Sequence, residues 1–424
     1  MYIQKYKFPV KKFSVCAEKL FNHVFLVEEC LFCKLYEEPY IEFRKMKRFL
    51  FIASILLVGG FLGILCAKYD LMGITNSGTR DWGDLLFKIA LVYVFALALG
   101  YLQIIIHEAG HLVCGLATGY KFVSFRFKSY VLVKANGQYQ IKRFAIPGTG
   151  GQCLMDPPGT IDAPGSSLLY LLGGVSANLL LTILFLLLAL FGVFSTIVNF
   201  SLLVGAFVGL VIIVTNGIPM LLSGIPNDMM NIRILRKSQT ARRAMFLSLK
   251  VNALQTDGTR LATLPLSWFD IPNNEPVSSY FTAMILLLRE GWYLDNYAFD
   301  KANEVMGQVE QEAIQKDFPQ ILRYEMNVEK LFLLILNGSD KEEVRQYYET
   351  KAKFYINRTK KFMLGKQRTL WAYAYFIEND IAQSRLIYEQ MLRMREQYPV
   401  IAEAQSEIDL VDYLQVNAQE YRKA

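Results

Sequence analysis

Between Asp162 and Asp228 the chain carries no charged residue. A helix needs roughly 20 apolar residues to cross the hydrocarbon core of a bilayer, so this stretch predicts two consecutive spans, over about residues 167–193 and 201–222, joined by a tight turn. Two earlier segments meet the same requirement. Residues 49–67 are uncharged, and so are residues 89–106, where the helical pattern runs on through His107 to about residue 119. That second helix exceeds a minimal span and carries residues 107–111 toward one end. Four spans are therefore expected. The 424 residues are 53% hydrophobic, with a mean hydropathy of +0.25, more apolar than a soluble chain of this length needs.

Flanking cations set orientation. Arg44, Lys45, Lys47 and Arg48 precede the first span, which places the N-terminal segment, residues 1–48, in the cytoplasm. Lys121, Arg126, Lys128, Lys134, Lys142 and Arg143 follow the second span, and Arg233, Arg236, Lys237, Arg242 and Arg243 follow the fourth. Each cluster falls where an even number of crossings predicts cytoplasm, so a multi-pass protein of the cell membrane with a cytoplasmic C-terminal part is expected. The net charge of +7 is explained by these topology determinants and not by a nucleic-acid surface. The six cysteines are scattered, two of them in or beside expected spans, and form no disulfide framework. The long, charged and aromatic start does not read as a signal peptide.

Residues 120–147 alternate aromatic or branched side chains with polar ones around Asn136-Gly137, the signature of a small β-hairpin. The Pro- and Gly-rich residues 146–165 promise little regular structure. Beyond Arg243 the pattern becomes amphipathic and helical. The fold class expected is thus mainly α: a polytopic bundle of membrane helices over residues 49–232 with a β-hairpin insertion, and a soluble helical domain over residues 245–424. Residues 371–375 and 382–391 resemble paired tetratricopeptide-type helices, with no fixed period across the domain, and a generic helical bundle fits equally.

His107-Glu108-Ala109-Gly110-His111 matches H-E-x-x-H. Residues four apart lie one helical turn above each other, so both imidazoles can reach one Zn2+ ion. Glu108, about a hundred degrees around the axis, stands where a general base for the attacking water belongs. The setting adds weight, because Glu108 is the sole charged side chain between Lys88 and Lys121. An ionisable residue inside a span costs on the order of 3 kcal/mol and marks function by default, although His and Glu can also simply hydrogen-bond a neighbouring helix. A catalytic zinc usually takes three protein ligands. His23, the one other histidine, precedes the first span and is poorly placed. Asp228 is the better candidate, the first carboxylate after the uncharged stretch, where Pro219, Gly224 and Pro226 break the fourth span. The alternative is that Asp228 merely ends a helix at the interface. Cys30-x-x-Cys33, with Cys16 and His23 upstream, is a weak signal for a second metal site.

Together these residues resemble the site-2 protease family of intramembrane zinc metalloproteases, over about residues 85–231. In that family H-E-x-x-H lies on one membrane helix, a small-Gly-Pro-x-x-Asn motif on the next, and Asn-x-x-Pro followed by an Asp ligand on a third. Here the positions read His107 to His111, then Gly173-Gly174-Val175-Ser176-Ala177-Asn178, then Asn216, Pro219 and Asp228. Val175 stands where the motif has Pro, Met229 where Gly is common, and the interval from Pro219 to Asp228 is longer than in the simplest pattern. The resemblance implies zinc held by His107, His111 and Asp228, with Glu108 catalytic and Asn178 supporting the substrate or the oxyanion. It implies as partners the bilayer and a membrane-protein or membrane-bound peptide precursor substrate, whose helix must unwind to be cut. The hairpin at residues 131–141 either holds that substrate by strand addition or is purely structural. Two competing readings remain: a catalytically silent scaffold whose helical domain binds a protein partner, and, less well supported, a transporter, for which four spans without an internal repeat are a poor device.

Overall fold

In a computed structural model the described residues are 82–145, 150–192, 194–222, 225–271, 279–314 and 318–421, together with Gly60 and Gly63. The N-terminal segment, the first expected span at residues 49–67 and the Cys16, His23, Cys30 and Cys33 cluster lie outside this set, except for the two glycines.

Among the described residues, three helices are long and apolar enough to cross a membrane, by length and composition. The first, α1, runs over Trp82–Ala117. It is followed by α2 (Leu168–Phe191) and α3 (Thr196–Gly217), which pack together as a hairpin. The last span begins and ends about five residues earlier than its hydropathy suggested. The reason is local, because Pro219 cannot continue a helix and the backbone turns extended at Ile218. Leu86, Phe87, Val94, Val113, Leu180 and Leu190 stand exposed on these helices, an apolar surface of the kind that suits lipid.

Helices α1 and α2 cross where neither bears a side chain. A Cβ on Gly110 would lie 2.2 Å from the carbonyl oxygen of Gly173, and one on Gly173 would lie 2.3 Å from that of Gly110. Only a glycine pair allows this approach, the usual way membrane helices bring backbones together.

Between α1 and α2 lies an antiparallel sheet rather than a lone hairpin. Strands β1 (Lys121–Phe127), β2 (Tyr130–Ala135), β3 (Gln138–Arg143) and β4 (Gly151–Asp156) take the order β3-β2-β1-β4. Asn136 and Gly137 form the tight β2–β3 turn with φ of 51° and 76°, as expected. Strand β4 was not expected, because it rises out of the Pro/Gly-rich residues 146–165. Its alternation is short, but Cys153 and Met155 are buried and Phe125 pairs with Cys153 across the ladder, so tertiary pairing overrides the local composition.

After a two-residue hairpin, Leu221–Leu222 with Ile225–Pro226, come α4 (Asp228–Leu235) and α5 (Gln239–Thr256). The remaining helices used below are α6 (Ser279–Asp295), α7 (Phe299–Ala313), α8 (Gln320–Leu336), α9 (Lys341–Tyr347), α10 (Lys353–Thr359), α11 (Leu364–Ala372), α12 (Ile381–Gln397) and α13 (Ile401–Val416). One core joins Met155, Tyr170 and Leu171 of the membrane-flanking part to Ile232, Leu247, Phe269 and Phe281, running across residues 232–245 without a break. A second core, around Leu331, Phe332, Trp371 and Met391, is built from the later part of the chain, with Phe144 packed against it.

Candidate metal centre and cleft

Two imidazoles project from successive turns of α1, and α2 packs over them at Gly174. A Cβ there would lie 2.6 Å from Nε2 of both His107 and His111, so the glycine leaves the room the imidazoles occupy. The Nδ1–H of His107 donates to Oδ1 of Asn178 at 2.6 Å. The Nδ1–H of His111 donates to the carbonyl of Tyr170 at 2.7 Å. With Nδ1 carrying the proton, each ring turns an Nε2 lone pair toward the same point.

Asp228 reaches that point from the other side. Its Oδ2 lies 3.2 Å from Nε2 of His107 and 3.5 Å from Nε2 of His111, and the two nitrogens are 3.2 Å apart. Ligands about 2.0–2.1 Å from a tetrahedral zinc sit roughly 3.3–3.4 Å from one another, so the three donors match one ion. Oδ2 of Asp228 is also buried without a hydrogen-bond partner, an acceptor that a cation would satisfy. Among the described residues this is the group of His, Cys, Asp and Glu side chains that can share a metal ion.

Asn227 fixes where Asp228 stands. It is buried and caps α4 by accepting from the N–H of Met230 at 2.9 Å. Its Nδ2 donates to the carbonyls of Thr215 and Ile218 at 2.6 and 2.7 Å, and its Oδ1 accepts from the N–H of Met220 at 3.2 Å. One amide thus ties the end of α3 and the break after it to the start of α4.

Glu108 lies against the outer strand of the sheet. The backbone N–H of Cys153 bonds its carboxylate, and a Cβ on Gly151 would lie 3.1 Å from its Oε1. The carbonyl of Cys153 accepts from Tyr170 Oη at 2.9 Å, so both backbone groups of this residue face away from β1. Burial pushes the Cys153 thiol up to about 12, with the charge of Glu108 adding to it, which keeps it neutral and no rival as nucleophile or ligand. Strand β4 lines the cleft, whereas the free edge of the expected hairpin, β3, does not.

The cleft over these residues encloses about 870 Å³. Asn216 lines it, as do Tyr280, Met284, Glu325, Tyr355 and Met363 from the later part of the chain. Asn178 does not line it. That side chain is fully buried, and its Nδ2 donates to the carbonyl and Oε1 of Gln103 at 2.8 and 2.6 Å. Gln103 and Asn227 were missed in the sequence. Gln103 left a signal, as a polar residue one turn before His107 in an otherwise apolar helix.

Comparison with curated proteins and with solved structures gave no match. The family model for peptidase family M50, the site-2 protease family of membrane zinc metalloproteases, matches residues 94–377, which contain every residue of the centre and more than half of the chain, and the chain belongs to that family.

Proposed function

We propose that the protein hydrolyses a peptide bond in or near a membrane span of another protein, with Zn2+ held by His107, His111 and Asp228 and with Glu108 as general base. The observation that carries this reading is the convergence of two Nε2 atoms and an unpartnered Oδ2 within 3.5 Å of one another, beside a carboxylate at the edge of the same cleft.

The chemistry zinc supplies at such a centre is polarisation of the scissile carbonyl and acidification of the attacking water. Glu108 takes the proton of that water on its carboxylate and returns it to the leaving nitrogen. Its bond from Cys153 and its contact with Gly151 hold it on the cleft side of α1. We read Asn178 as a positioning residue that keeps His107 in its Nδ1–H tautomer, because both ends of its amide are engaged away from the cleft. An unwound substrate lies along β4, whose outer edge faces Glu108. The bilayer is the setting, with the basic loops and the helices after residue 245 on the cytoplasmic side. Those helices wall the mouth of the cleft, so we read them as a substrate-selecting cover in addition to any protein partner they bind.

Zinc analysis and a variant test the proposal together. Purified protein is expected to hold about one zinc per chain, and membranes carrying Glu108→Gln are expected to accumulate an uncut single-span protein that wild type removes. A chain that holds no zinc, or a Glu108→Gln form that processes as well as wild type, would leave a silent scaffold of the same family as the better reading.

A further inference from the structure

Behind the catalytic cleft lies a second cavity, of about 420 Å³, between α5, α6, α8, α11 and α13. Ser248, Met284 and Glu325 line both, so the two spaces share a wall. Five carboxylates face the second one, from Glu290, Glu325, Glu329, Glu403 and Glu407. Two cations meet them. Lys366 pairs with Glu325 and Glu329, and Arg368 pairs with Glu329 and stands 3.4 Å from Glu407. Glu403 accepts from Tyr398 Oη at 2.8 Å.

Glu290 is different. It is 3% exposed, lines the cavity, and leaves its buried Oε1 without a hydrogen-bond partner. A buried, unpaired carboxylate is costly, and a cation entering the cavity removes the cost. Burial raises the Glu290 carboxyl, with the charges of Glu329 and Glu407 adding to it and those of Arg368 and Lys366 opposing it.

The chemistry selects among cations. These carboxylates do not draw their oxygens close enough to share a metal ion, unlike the His107, His111 and Asp228 set. Acid groups in a space also walled by Leu261, Leu287, Leu294 and Leu410 suit an aliphatic stem ending in an ammonium or guanidinium. The segments flanking a membrane span are where Lys and Arg concentrate. We propose that the cavity is a subsite for a lysine or arginine side chain on the membrane-flanking segment of the substrate, held by Glu290 with Glu407 beside it. This rests on the protease reading above, and makes the later helices a filter for basic flanking sequence.

The test uses the full chain as Glu108→Gln in detergent micelles and a fluorescein-labelled Ala/Ser dodecapeptide bearing one arginine, against the same peptide with neutral citrulline. The arginine peptide is expected to bind at least tenfold more tightly, with the ratio falling to near one in Glu290→Gln and persisting in Asp162→Asn, an exposed control. Equal affinity of the two peptides, or a preference that survives Glu290→Gln, overturns the subsite. Should that variant fail to fold, carbodiimide amidation of the parent is read by mass spectrometry. Protection of Glu290 by the arginine peptide alone supports the subsite, and its absence overturns it. Zinc content and cleavage by wild type are measured alongside, so an arginine preference in a chain without zinc or cleavage sinks the protease reading and not the cation site.

Discussion

His107 donates its Nδ1–H to Oδ1 of Asn178 at 2.6 Å, and Asn178 is in turn fixed through Nδ2 by the carbonyl and side chain of Gln103, one turn earlier on the helix that carries His107. Helix α2 thereby sets the tautomer of a histidine on α1. Groups that orient metal-binding histidines typically contribute 10–100-fold in metal affinity. Asn178→Ala is therefore expected to weaken zinc binding by about that factor in a chelator competition, with activity recovering as zinc is added. A variant that keeps full zinc affinity yet loses kcat would instead place Asn178 on the substrate.

Gly174 has no room for a side chain, since its Cβ would lie 2.6 Å from both Nε2 atoms. Gly174→Ala is expected to abolish zinc binding while leaving the far-ultraviolet helix signal in place. Gly110→Ala acts differently, because its Cβ meets the Gly173 carbonyl at 2.2 Å and forces α1 and α2 apart. The expected cost is about 1–3 kcal/mol or more, read as earlier thermal unfolding in micelles. Unchanged unfolding of Gly110→Ala would mean that this crossing is looser than described.

Asn227 caps α4 and bonds three further backbone groups around the broken end of α3. Asn227→Ala removes the cap, worth about 1 kcal/mol, and leaves buried backbone groups unpaired at about 1–3 kcal/mol each. The measurable result is lower stability together with weaker zinc binding, since Asp228 follows directly. Retention of wild-type zinc affinity would show that α4 holds Asp228 without its cap.

The buried acids predict a pH response of known sign. Burial pushes the Glu407 carboxyl up to about 7, partly offset by Arg368, with Glu329 and Glu403 adding to it and Lys366 opposing. An acid whose folded value lies above its unfolded value binds more protons when folded. Its stabilising contribution is full below about pH 4.5 and is lost as pH rises to about 7. Glu407→Gln is expected to flatten this part of the stability profile, with an effect on the order of 3 kcal/mol across the window. Parallel profiles for the two proteins would show that Glu407 does not titrate in that range.

The sequence by itself determined the membrane helices and the metal motif, for physical reasons that act locally. A charge-free stretch between Asp162 and Asp228 has no soluble solution, and His107 and His111 meet because four residues make about one helical turn. Asp228 was legible too, as the first carboxylate after a broken span. What only the tertiary structure decided depends on contacts between distant segments. Strand β4 exists because β1 pairs with it, against a composition that reads as loop. Asn178 was visible as part of a motif, but its bonds to His107 and Gln103 arise only when α2 packs on α1 through glycines. The five acids facing the second cavity come from α6, α8 and α13, and nothing in their spacing shows that folding turns them toward one space. Local periodicity fixes which face a residue takes, and packing alone fixes what that face meets.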